Sequence, residues 1–178
     1  MFAALATKGS VLLEQAPCEH MGSVIEVARN LGATCQRSKE GLYVECREGI
    51  PLQNFFQTRV YPGFPTDLQS VLLPVLTRFE EISVVEETIF ENRFRILEDL
   101  RKMGANIEEL HPGRVEIQKS ELKGAEVEAK ELRGGAALVI AGLMASGITV
   151  VKNCHFIARG YENICKDLQD LGARLYST

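Results

Sequence analysis

Four charged side chains, Asp67, Arg93, Arg133 and Arg159, carry the chemistry this sequence offers. Guanidinium groups hold carboxylates and phosphates through paired donors, and a carboxylate placed among them can accept a proton. Asp67 follows Pro65-Thr66, the composition of a helix start, where an acid suits the positive end of the helix dipole. Arg133 also opens an apolar helical stretch, and there a cation is electrostatically the wrong choice. A bound anion would resolve that conflict, and Gly134-Gly135 would let it approach the backbone closely. Arg159 lies in the segment His155–Glu162 that opens the last helical stretch. Together they describe an anion site with one candidate base, provided the fold gathers them on one rim.

The elements that must do so are repeated. Leu31-Gly32-Ala33, Met103-Gly104-Ala105 and Leu171-Gly172-Ala173 recur 72 and 68 residues apart, each closing a helical pattern. Met21, Val24, Ile25, Ala28 and Leu31 form one apolar stripe; Tyr161, Ile164, Cys165, Leu168 and Leu171 form another at the same offsets. The glycine after each stripe suits a left-handed C-terminal cap. Alignment on these glycines sets Arg93 opposite Met21 and Tyr161, so its head group needs water, a partner or an anion. Short β-branched runs at 9–13, 82–85 and 147–151 read as strands, preceded by helical stretches at 1–7, 66–79 and 133–146. Further strands are expected at Gly41–Cys46 and Arg114–Gln118. The unit is βαβαββ, with pseudo-repeats of about 1–62, 63–130 and 131–178 in a single α/β domain. The first unit begins inside its helix and the last stops before its strand pair, as in a fragment of a larger repeat protein. Unpaired sheet edges of that kind predict self-association.

Composition narrows the class. The 178 residues carry 20 basic and 24 acidic side chains, a net charge of −4 that disfavours a general nucleic-acid binder. No apolar run is long enough to span a membrane, and the first residues lack a secretory leader, so a cytoplasmic protein is expected. Cys18, Cys35, Cys46, Cys154 and Cys165 form no CxxC pair and share no zinc spacing with His20, His111 or His155. They read as reduced thiols, Cys165 as a core residue, and no metal or cofactor is expected.

Four ordered stretches carry a specific resemblance. Phe64-Pro-Thr-Asp67, Glu87-Thr-Ile-Phe-Glu-Asn-Arg-Phe94, Leu132-Arg-Gly-Gly-Ala-Ala-Leu-Val-Ile-Ala141 and Arg159-Gly-Tyr-Glu162 resemble signature segments of the UDP-N-acetylglucosamine 1-carboxyvinyltransferases. The resemblance implies an inside-out α/β barrel, of which this chain would be most of one domain from the C-terminal part. It implies transfer of the enolpyruvyl group of phosphoenolpyruvate to the sugar 3-hydroxyl, the first committed step of peptidoglycan precursor synthesis. Under it, Asp67 faces that hydroxyl as sugar ligand and proton acceptor, and Ile89 contacts the amino sugar through its backbone. Arg133 and Arg159 hold phosphoenolpyruvate, and Arg93 is a further active-site arginine.

Two positions depart from the family pattern. Glu131 stands for an aspartate, and Ala158 for an acid that could orient Arg159. The loop that bears the family's proton donor belongs to the other domain, so this chain is expected to be inactive without the missing N-terminal part. Alternatives are a non-catalytic sugar-nucleotide-binding module and a non-functional truncated frame. A fourth, the related unit of RNA 3′-phosphate cyclases, is disfavoured by the acidic charge and the lack of a nucleotide-linking histidine motif.

Overall fold

The computed structural model describes residues 1–47 and 51–177. Three helices, α1 (Phe2–Thr7), α3 (Gln69–Leu76) and α5 (Leu132–Met144), pack against one another at the centre. Their sequences demand it. Every residue of α3 is buried, as is α5 from Gly134 to Leu138, and a helix apolar on all sides must be covered on all sides. The amphipathic helix α2 (Gly22–Asn30) instead buries one face, Val24, Ile25, Val27 and Ala28.

Two sheets cover this helical centre. In the first, β1 (Ser10–Glu14), β3 (Gly41–Cys46) and β2 (Ala33–Arg37) run antiparallel in that order, with Leu12 opposite Tyr43 and Cys35 opposite Val44. Leu42, Val44 and Cys46 alternate inward along β3, the period of a half-buried strand. In the second, the order is β4 (Phe55–Gln57), β5 (Ser83–Glu86), β7 (Arg114–Gln118) and β6 (Asn106–His111). β4 is parallel to β5 and the other pairs are antiparallel. A small parallel pair, β8 (Glu126–Glu128) with β9 (Val150–Lys152), flanks α5.

The middle of the chain therefore reads β4-α3-β5-α4-β6-β7, where α4 is Leu97–Lys102. Gly32, Gly104 and Gly172 all adopt positive φ, 84°, 92° and 94°, as expected of left-handed helix caps. Helix α4 is shorter than its sequence pattern. Asn92 takes a left-handed conformation (φ 56°), and the chain turns there before Ile96, Leu97, Leu100 and Met103 enter the core.

The last stripe departs further from expectation. Helix α6 (Ile164–Asp170) starts only after the Asn163 side chain caps it, leaving Tyr161 outside the helix. Leu171 is 62% exposed, and Cys165 is half-buried near the Leu175 carbonyl rather than in the core. Leu168 alone in α6 is buried. Among the described residues no strand follows Gly172 to cover the stripe. No helix of the described residues is long and apolar enough to cross a membrane.

One buried charge ties α4 to the approach to α5. Asp99, 1% exposed, pairs with Lys102 at 2.9 Å and with Lys130 at 3.3 Å, directly before Glu131 and α5. Burial alone would raise the carboxyl, but the Lys102 hydrogen bond and the Lys130 charge outweigh it and hold it below its ordinary value. A carboxylate depressed in the folded state stabilises above its unfolded pKa, and that contribution is lost as pH falls through the folded value. We expect Asp99→Asn to lower Tm near neutrality and to flatten the loss of Tm below about pH 4. Thermal melts across pH 2–7 read both effects, and parallel wild-type and mutant curves would count against the assignment.

Candidate active site

Asp67 sits in a single 3₁₀ turn, Thr66–Leu68, that leads into α3. Pro65 (φ −74°, ψ 137°) feeds the chain into the turn in extended conformation and suits a residue that cannot donate a backbone hydrogen bond. Arg133 lies in the first turn of α5, which packs beside α3, so the helix pairing sets the two side chains face to face. Arg133 Nε donates to Asp67 Oδ1 at 2.5 Å, and Arg93 Nη2 approaches the same oxygen at 3.4 Å. The Asp67 hydrogen bond holds the Arg133 guanidinium above its ordinary pKa, so it is a permanent cation.

The electrostatic conflict expected at the start of α5 is eased inside the chain. Glu131 Oε1 accepts from the Gly134 amide at 2.6 Å, capping the helix, while its Oε2 lies 3.7 Å from Arg133 Nη1. Asp67 and Glu131 thus supply negative charge at this helix start from within the chain. Glutamate at position 131 is long enough to reach both groups.

Around Asp67 opens a cleft of about 360 Å³, walled by the 59–67 segment, by Ile89, Phe90 and Arg93, and by Arg133. The Arg93 guanidinium lies 4.8 Å from the centre of the Phe90 ring, a cation–π contact that orders its head group. Its Nε is buried without a partner, so the arginine holds donor capacity in reserve. Ile89 lines the cleft, but its amide donates to Glu87 Oε1 at 2.8 Å, which leaves only its carbonyl for a ligand.

The structure therefore gathers Asp67, Ile89, Arg93 and Arg133 in one cleft. Arg159 is not among its walls. It ends a 3₁₀ segment, Cys154–Arg159, is exposed, and makes no ion pair among the described residues, where Ala158 offers it no carboxylate. The segment is nevertheless pressed onto the first turn of α5. A Cβ on Gly135 would lie 2.6 Å from Ile157, and one on Gly160 would lie 2.4 Å from Leu132, so both glycines permit the close approach. Arg159 is thus carried next to the helix end that bears Arg133.

Three residues that sequence reasoning did not single out also shape the cleft: Thr66, Glu87 and Phe90. Glu87 opens one of the quoted motifs, yet nothing in an exposed-looking Glu-Glu-Thr sequence signals that its carboxylate is buried.

A central helical layer, sheets outside it and a carboxylate flanked by arginines define an enolpyruvyl transferase fold. The family model described as EPSP synthase (3-phosphoshikimate 1-carboxyvinyltransferase) matches residues 1–168, and the chain belongs to this family. Its sequence relatives are more particular. A UDP-N-acetylglucosamine 1-carboxyvinyltransferase from Methylacidiphilum infernorum is 45% identical over 98% of this chain, which spans 42% of that protein. One from Halothermothrix orenii is 40% identical over 97% of the chain, which spans 41% of it. A relative of the same name from Desulfofundulus thermocisternus is 41% identical over 99% of the chain and is spanned to 72%. The enolpyruvyl transferase NikO from Streptomyces tendae shares the fold, with a TM-score of 0.79 at 21% identity, over 97% of this chain and 42% of that one.

Proposed function

We propose that this chain is the C-terminal part of a transferase that moves the enolpyruvyl group of phosphoenolpyruvate to the 3-hydroxyl of UDP-N-acetylglucosamine. The observation that carries the reading is the convergence of Arg133 and Arg93 on one oxygen of Asp67 in an open cleft. The names of the relatives supply the substrates. Asp67 is more than half exposed, so its second oxygen is accessible to a hydroxyl.

In this reading the 3-hydroxyl oxygen bonds to C2 of phosphoenolpyruvate and its proton passes to Asp67, while C3 takes a proton from a donor outside this chain. Phosphate then leaves C2 as C3 loses a proton, and the enolpyruvyl ether remains. Arg133 and Arg159 hold the carboxylate and phosphate through planar forks, and Arg93 adds charge as the ketal forms. Such groups, fixed beforehand, stabilise developing charge without reorganising. Ile89 offers its carbonyl to the amino sugar. The chemistry asks for no metal or cofactor. The placement of the reaction in peptidoglycan precursor synthesis and in the cytoplasm belongs to the same proposal. So does the division into three units near 1–62, 63–130 and 131–178, and so does the need for an N-terminal partner segment.

Calorimetric titration with UDP-N-acetylglucosamine tests the binding half of the proposal. Saturable heat is expected, weakened about tenfold or more by Asp67→Ala, the order expected when a charged hydrogen-bond acceptor of the sugar hydroxyl is removed. No heat at millimolar ligand would overturn it. The chain alone is expected to release no phosphate from the substrate pair, so sustained turnover would contradict the division of labour.

A further inference from the structure

Glu87 follows β5 and is 7% exposed, yet no cation is paired with it among the described residues. A bare carboxylate is costly to bury unless donors satisfy it. Three do. Oε1 accepts the amides of Ile89 at 2.8 Å and Phe90 at 3.1 Å, and Oε2 accepts the Thr66 hydroxyl at 2.8 Å. The Glu87 amide donates to the Gly113 carbonyl at 2.7 Å, which anchors the residue to the β6–β7 turn.

These bonds run to two separate segments that line the cleft. Thr66 adjoins Asp67, and Phe90 lies against the Arg93 guanidinium. One buried carboxylate therefore joins the turn that carries the acceptor to the loop that aims a guanidinium at it. A shorter acid would not reach both walls, and an apolar residue would leave two amides and a hydroxyl unpaired.

We propose that Glu87 is the positioning residue of this site, acting through Thr66 on Asp67 and through Phe90 on Arg93. Its consequence for ligand binding rests on the enolpyruvyl-transfer reading, whereas its effect on cleft geometry does not. Glutamine separates positioning from bulk stability. Its carbonyl can accept both amides, and the Thr66 hydroxyl can reorient to accept from its amide group.

The test uses the whole chain, with amide exchange and arginine side-chain resonances followed by NMR. In Glu87→Ala the Ile89 and Phe90 amides are expected to exchange at least about tenfold faster, while Val44 and Val115 in the two sheets change less than about twofold. Glu87→Gln is expected to restore most of that protection. Thr66→Val removes a single hydroxyl donor and keeps the side chain's shape, so it serves if Glu87→Ala does not fold. It is expected to move the Arg133 Nε–H resonance, the proton shared with Asp67. Unchanged Ile89 and Phe90 exchange in Glu87→Ala, uniformly faster exchange across both sheets, or an unmoved Arg133 signal in Thr66→Val would each overturn the proposal. A parallel titration with UDP-N-acetylglucosamine should weaken at least about tenfold in Glu87→Ala and stay close to wild type in Glu87→Gln. Failure of the wild-type chain to bind would overturn the functional reading alone, because the exchange data still decide the role of Glu87.

Discussion

Asp67→Ala is expected to abolish phosphate release once the chain is supplied with the part of its Methylacidiphilum infernorum relative that it does not span. Loss of a positioned general base costs about 10²–10⁴-fold in rate. The alanine variant also frees Arg133 and Arg93 from their shared partner, so its effect combines a lost proton acceptor with two loosened cations. Asp67→Asn divides the two. The amide oxygen still accepts from Arg133, which keeps the geometry, but it cannot take the hydroxyl proton. If Asp67 is the base, asparagine should be nearly as slow as alanine while binding UDP-N-acetylglucosamine close to wild type. Stability should hardly move. Asp67 is 59% exposed, and an ion pair of that kind contributes about 0–1 kcal/mol. Restored turnover in the Asp67→Asn mixture would assign the proton to another group.

Much of this site is legible in the sequence because its charges break recurring apolar patterns. Gly32, Gly104 and Gly172 each need a left-handed backbone, a local requirement that the sequence cannot disguise. Strands Gly41–Cys46 and Arg114–Gln118 alternate inward and outward under local patterning, and both appear with the bounds expected of them. Against that regularity, a charge in place of an apolar residue stands out, as Arg93 does opposite Met21 and Tyr161. The arrangement that follows is non-local. That α3 and α5 lie side by side, and so bring Asp67 to Arg133 across 66 residues, depends on central packing that no short motif states.

What escaped the sequence had weak local signals. Strands β4 and β8 have three residues each and are parallel to β5 and β9, so they exist only through those partners. Glu87 resembles its acidic neighbours Glu80, Glu81 and Glu86 until the chain folds over it. The electrostatic deficit at the start of α5 is legible, but not that Glu131 and Asp67 meet part of it from within the chain. Helical periodicity misled at α6, where Leu168 alone of the apolar stripe is buried, because burial needs an opposing surface as well as a pattern.

The core helices fix the geometry of the cleft, and a cavity between them should therefore disturb both stability and binding. Leu72 is fully buried in α3, one turn into the helix that Asp67 precedes. Leu72→Ala removes packing at the centre of the α1–α3–α5 layer, where the surrounding backbone can relax only in part. A loss of about 2–5 kcal/mol is expected for such a truncation. For a domain of this size that corresponds to a Tm about 5–15 °C lower. Binding should fall by a further route, since any shift of α3 against α5 lengthens the Arg133–Asp67 contact without touching a ligand. Leu72→Met, which nearly conserves volume, should cost less than about 1.5 kcal/mol and keep the titration near wild type. Thermal melts and calorimetry on the two variants separate the outcomes: equal binding in the wild type and in a folded Leu72→Ala would show that the cleft is held by its loops rather than by the helical layer.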